Sequence, residues 1–218
     1  MKQKNPLEKR KGLLITLEGG EGGGKTTQSY LLRTKLIEAG HDVVVLREPG
    51  GTQISEQIRE VVLNKHNSAM AYTTEVLLFQ AARAQIYREI VIPSLEANKT
   101  VLMDRSRDSS VVYQGMVRGF GKKMIEQLND ISTNQTLPDI TILLDLPAEI
   151  GLDRRGKTEK MDRLDMEKVE FHQKVRQAYL ELAEEDKSDR WAVIDASQPI
   201  EKVAAAIWQA VSVKFKKL

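Results

Sequence analysis

The residues best placed to do chemistry are Gly19-Gly20-Glu21-Gly22-Gly23-Gly24-Lys25-Thr26, followed by Thr27. They match G-x-x-x-x-G-K-[ST], the pattern of a nucleotide phosphate-binding loop. Five of the eight are Gly, so the backbone can turn tightly and aim its N–H groups at phosphate oxygens. Lys25 can reach the outer phosphates, and the Thr26 hydroxyl can ligate Mg²⁺. A second set of polar residues follows the apolar runs: Glu48, then Asp104 with Arg105, then Asp145. A third set sits on helical spacing. Phe79 and Arg83 are four apart, and Ser110, Tyr113 and Gln114 are spaced i, i+3, i+4. A ring and a guanidinium on one face can stack a base and hold a phosphate. The second face offers hydroxyl and amide groups for a base edge and a ring to line a sugar pocket.

The elements needed to position these groups are also readable. Apolar runs alternate with helical stretches, which predicts a parallel sheet with crossover helices. The expected strands are Leu13–Leu17, Val43–Leu46, Thr100–Asp104, Ile140–Asp145 and Trp191–Asp195. Several are continuous Val/Ile/Leu runs, as for strands covered on both faces. Helices are expected at Lys25–Ala39, Ser55–Asn64, Thr73–Asn98, Ser109–Arg118, Met124–Asn134, Glu149–Arg155, Val169–Glu185 and Ile200–Lys216. Pro93 should kink or break the third. A doubly wound sheet binds ligands beyond the carboxyl ends of its strands, so Glu48, Asp104 and Arg105 should crowd the edge that carries the glycine loop. The phosphate loop sits on the first βα turn, with the helix N-terminus adding positive potential.

Composition narrows the function. A chain of 218 residues is expected to be one α/β domain. The net charge of +2 does not suggest a nucleic-acid polymer as partner. There are no Cys, in keeping with a reducing cytoplasm and excluding thiolate metal sites. No apolar run reaches the length of a membrane span. Residues 1–12 read as a basic, frayed N-terminal arm without an apolar signal core.

The run Leu46-Arg47-Glu48-Pro49-Gly50-Gly51-Thr52 resembles the R-E-P-G-G-T signature of thymidylate kinases. The resemblance continues at Leu78-Phe79-Gln80-Ala81-Ala82-Arg83, Asp104-Arg105, Ser109 to Gly115, Pro138-Asp139, Leu144 to Leu146 and Asp162-Arg163, and covers about Leu13 to Lys216. It implies a P-loop three-layer αβα fold, with a five-stranded parallel sheet and a short lid at about 154–163. It also implies a cytoplasmic homodimer that phosphorylates dTMP to dTDP with ATP and Mg²⁺. Position by position, it assigns Phe79, Arg83, Arg105, Ser110, Tyr113 and Gln114 to the nucleoside monophosphate, with Glu21 near its sugar and phosphate. Arg47, Glu48 and Pro49 would shape the monophosphate side, and Glu48–Pro49 is a candidate cis bond. Thr26 and Asp104 would serve the metal. Lys25, Arg105, Arg155 and Arg163 would neutralise the moving phosphoryl group, with Lys157 and Lys160 in support.

The chain departs from the family pattern in places. Ser106 follows Asp-Arg where many relatives have an aromatic residue or His, and Val112 replaces a small residue. Some relatives carry an Arg in the phosphate loop, where this chain has Gly22. The rival readings are a kinase for another nucleoside monophosphate or a deoxynucleoside, and a P-loop NTPase switch. The pair Arg83 and Arg105 argues for an acceptor that already carries a phosphate.

Overall fold

The computed structural model describes residues 12–156 and 162–216. Five strands form one all-parallel sheet: β1 (Leu14–Glu18), β2 (Val43–Arg47), β3 (Thr100–Asp104), β4 (Ile140–Asp145) and β5 (Trp191–Asp195). Their spatial order is β2-β3-β1-β4-β5. The central strand β1 is fully buried and splits its side chains by the two-residue period of a strand. Ile15 and Leu17 face one layer, where they pack with Leu32 and Leu36 of α1 (Lys25–Glu38) and Val203, Ile207 and Val211 of α9 (Ile200–Lys216). Leu14 faces the other layer, with Val101, Met103, Ile86 and Leu95. Sheet plus two helical layers is the three-layer α/β architecture expected.

Strand placement agrees with the sequence reading to within a residue, but burial does not. Val45 on β2 is 41% exposed and Val193 on β5 is 49% exposed. Both strands are sheet edges. A continuous apolar run is therefore not a sign of full cover when the strand has one neighbour.

The remaining elements are α2 (Gln53–Leu63), α3 (Tyr72–Ile86), α4 (Ile92–Glu96), α5 (Arg107–Ser110), α6 (Lys122–Thr133), α7 (Ala148–Gly156) and α8 (Val169–Glu185). Two π-helical segments interrupt the expected long helices, at Tyr87–Val91 and Val111–Val117. The first replaces the expected break at Pro93. A proline ring collides with the carbonyl four residues back, here Glu89, and that residue lies in the widened segment. The second carries Tyr113 and Gln114 and directly follows the short α5. Among the described residues no helix is long and apolar enough to cross a membrane.

Candidate active site

The C-terminal end of β1 delivers the glycine loop, and α1 starts at Lys25 straight after Gly24. Lys25 is 8% exposed and donates from Nζ to the carbonyls of Gly19 (3.2 Å) and Gly20 (2.7 Å). Burial, then the neighbouring Arg105, depress its pKa. The Thr26 hydroxyl donates to Asp104 Oδ2 at 3.0 Å. The two expected metal ligands are thus adjacent. Among the described residues no cluster of three or more His, Cys, Asp or Glu could hold a metal. A cation here would take most of its ligands from phosphate oxygens and water, as Mg²⁺ commonly does.

Next to the loop lies a charged cluster around Arg105, which adopts φ +67° between β3 and α5. Its guanidinium donates to the Gly19 carbonyl (3.0 Å), Ser109 Oγ and Tyr179 Oη (both 3.4 Å), and pairs with Glu21. Glu21 also accepts from Tyr113 Oη at 3.1 Å. Burial alone would raise the Glu21 pKa, but Arg105, Lys25 and the Tyr113 hydroxyl bring it down to about 2. The Arg105 charge is opposed by burial, which the Glu21 carboxylate outweighs, so its pKa rises.

Beneath this pair Glu18 accepts from the Ser106 N–H (2.8 Å), Ser109 Oγ (2.6 Å) and Tyr179 Oη (2.8 Å). It is fully buried, and burial with the nearby Asp108 raises its pKa to about 7. A folded pKa above the unfolded value adds stability that is present below about pH 4.5 and lost as pH rises through about 7. Glu18→Gln should therefore gain Tm relative to the parent chain between pH 5 and pH 8. Thermal melts across that range check this; a Tm difference that moves the other way would contradict it.

The acceptor side is built from β2, α2, α3 and the second π-helical segment. The Glu48–Pro49 bond is cis. Arg47 Nη2 donates to both Glu56 oxygens (3.0 and 2.9 Å) and its Nη1 donates to the Pro49 carbonyl at 2.9 Å. Arg59 donates to the same carbonyl at 2.7 Å. Phe79, Ser110, Tyr113 and Gln114 all line the cleft that Arg47 and Arg105 face.

Arg83 is placed differently from expectation. It borders the cleft but is 1% exposed. Its donors go to Glu48 (Nε, 2.8 Å; Nη2, 2.7 Å), Ser110 Oγ (2.9 Å), Asn129 Oδ1 (2.9 Å) and the Ser106 carbonyl (3.0 Å). Four of the five guanidinium N–H groups are hydrogen-bonded in this way, and Nη2 also lies within ion-pair distance of Glu48. To hold a phosphate, Arg83 would have to give up one of these buried partners.

The segment expected to form a lid begins at the end of α7. Arg154 and Arg155 border the cleft, and Arg155 donates from Nε to Asp165 Oδ1 (3.1 Å) and from Nη2 to Asp165 Oδ2 (2.8 Å). Arg163 corrects the sequence reading. It does not border the cleft; it donates to the Val62 carbonyl (3.0 Å) and pairs with buried Glu75 (2.6 Å). Its guanidinium is held by Val62 and Glu75, away from the cleft lining. Lys157 and Lys160 lie outside the described residues.

The loop and α7 approach closely through their backbones. Gly22 has φ +66°, and a Cβ there would lie 2.1 Å from the Gly151 carbonyl oxygen. A Cβ on Gly151 would lie 2.2 Å from the Glu21 carbonyl oxygen. This contact leaves no space for a loop arginine at position 22. Gly151→Ala should push α7 off the loop and displace Arg154 and Arg155. We expect kcat to fall at least tenfold, because small misplacements of positioning groups cost about that much or more. Steady-state kinetics with unchanged circular dichroism would check it.

The glycine loop, Arg47, Arg59, Arg105, Phe79, Tyr113, Gln114 and Arg155 surround one cleft of about 430 Å³. Sequence reasoning missed Arg59, Glu18, Tyr179 and Glu75. Arg59 follows Glu56 by one helical turn, a spacing that could have marked it; the buried carboxylates had no local signal.

The comparisons with known proteins agree with this geometry. A family model described as thymidylate kinase matches residues 17–207. A thymidylate kinase of Geotalea uraniireducens is 48% identical over 206 residues, covering 92% of this chain and 96% of the relative. That of Latilactobacillus sakei is 47% identical over 204 residues, covering 92% and 95%. The crystal structure of thymidylate kinase from Ehrlichia chaffeensis superposes with a TM-score of 0.75 at 31% identity, covering 92% of this chain and 98% of that one. A match of this extent, on a chain whose loop, cleft and basic groups are arranged as above, makes the protein a member of the thymidylate kinase family.

Proposed function

We propose that this chain transfers the γ-phosphoryl group of ATP to dTMP, giving ADP and dTDP. The observation that carries the reading is a shared cleft. Lys25, Thr26 and Asp104 open into the same space as Arg47, Arg105, Phe79, Tyr113 and Gln114. One end fits a triphosphate and the other a nucleoside that already bears a phosphate. An acceptor phosphate oxygen then attacks the γ-phosphorus in line, and ADP leaves with the bridging oxygen. No covalent enzyme intermediate is required. Lys25 neutralises the donor phosphates, Arg47 and Arg105 hold the acceptor, and Arg155 adds charge from the lid. The Thr26 and Asp104 oxygens fit Mg²⁺, which would supply charge neutralisation between phosphates.

Tyr113 lies against Glu21 and Arg105, so its ring would sit at the sugar. A 2′-hydroxyl would be crowded or left without a partner there. A homodimer is supported by apolar groups exposed on α2 and α3, Ile54, Val61 and Leu77. The expected site of action is the cytoplasm, where ATP is supplied. Incubation with ATP, Mg²⁺ and dTMP, followed by nucleotide chromatography, tests the reaction. Equimolar dTDP and ADP are expected. ADP without dTDP would favour the NTPase switch instead.

A further inference from the structure

Glu75 lies in the first turn of α3, fully buried, and joins two parts of the site. Its Oε1 accepts from Gln114 Nε2 at 2.9 Å. Its Oε2 accepts from Arg163 Nη2 at 2.6 Å and lies 3.5 Å from Arg118 Nη2. A carboxylate only accepts hydrogen bonds, so the Gln114 amide must present its NH₂ group to Glu75. The amide oxygen is then turned the other way. Among the described residues Gln114 Oε1 accepts no hydrogen bond, yet it is not a sealed atom, and Gln114 borders the cleft beside Phe79.

We infer that Glu75 is a specificity-positioning residue that fixes the Gln114 amide so that the acceptor pocket offers a carbonyl oxygen to the base edge. The inference rests on the kinase reading above and adds a rule for which bases are accepted. A base with an N–H at its pairing edge, such as thymine or uracil, satisfies that oxygen. Cytosine presents a lone pair at the same ring position, and two acceptors face each other. Glu75 touches no substrate; it acts through Gln114. Arg163 and Arg118 set the carboxylate's position in turn, so the trailing end of the lid and the base pocket share one support.

The test is Glu75→Gln, which preserves volume but can donate as well as accept, freeing the Gln114 amide to turn over. kcat/KM for dTMP and dCMP is measured in the parent chain, Glu75→Gln, Gln114→Met and the double variant. The dTMP/dCMP ratio should fall about tenfold or more in Glu75→Gln, since one mismatched buried hydrogen bond is worth roughly ten- to hundredfold. The change should lie in the acceptor KM, with the ATP KM unmoved. On the Gln114→Met background Glu75→Gln should change the ratio no further. Equal losses for both acceptors, or a kcat loss alone, would leave Glu75 a purely structural group and overturn the inference. If Glu75→Gln fails to fold, competition on the parent chain decides: N3-methyl-dTMP should bind at least tenfold more weakly than dTMP, and equal binding overturns the inference. A parent chain that phosphorylates neither nucleotide would instead remove the kinase reading.

Discussion

Lys25→Ala should lower kcat by about 10²–10³-fold, the usual loss when one preorganised cationic donor is taken from a developing charge. The residue is buried at the start of α1, and its ammonium bridges the Gly19 and Gly20 carbonyls. In the proposed reaction it would face the charge that gathers between the β and γ phosphates. Burial and Arg105 already depress its pKa, so the fold does not depend strongly on this charge. Glu21 keeps Arg105 and the Tyr113 hydroxyl after the substitution. Tm should therefore move by only a few degrees while activity collapses. More than half of normal kcat in a folded variant would remove Lys25 from the mechanism.

Arg83→Met should act in the opposite sense, on stability first. It removes the partner of Glu48, which is itself 5% exposed, and strips donors from Ser110, Asn129 and the Ser106 carbonyl. An uncompensated buried charge costs about 3–5 kcal/mol. In a chain of this size each kcal/mol moves Tm by roughly 2–4 °C, so a drop on the order of 10 °C is expected. Adding Glu48→Met should restore part of it, since removing both charges is cheaper than stranding one. Calorimetry of the two single variants and the double variant measures this. A Tm loss under 2 °C for Arg83→Met would show that Glu48 finds another partner or was not held by Arg83.

These two residues mark what a sequence reveals and what it hides. Lys25 belongs to a contiguous pattern, so its place was legible at once. Asp104 and Arg105 were legible by a different route: a parallel sheet brings strand ends to one edge, and the register Leu17↔Asp104 does so here. Arg83 belonged to an equally clear motif, yet the motif could not show that Glu48, Ser110 and Asn129 had taken its donors. Those partners lie 27 to 46 positions away in sequence. The same holds for Arg163, whose partner Glu75 is 88 positions distant. Glu18 lay at the end of a predicted strand beside the loop, but only the folded chain surrounds it with Ser106, Ser109 and Tyr179. The π-helical segments were also hidden, because an extra residue in a helical turn leaves no compositional mark. Local motifs thus placed the cleft, and long-range partners decided which charges in it are available.

Whether the acceptor is a deoxypyrimidine monophosphate is decided by kcat/KM with ATP for dTMP, dUMP, UMP, dCMP and dGMP. dTMP should be best. dUMP should follow within about tenfold, because one methyl in an apolar pocket is worth about 1 kcal/mol. UMP should fall below dUMP by about ten- to a hundredfold, as its 2′-hydroxyl meets the Tyr113 ring without a partner. dGMP should fail on size beside Phe79. UMP used as well as dTMP, or dGMP as the best acceptor, would contradict the assignment.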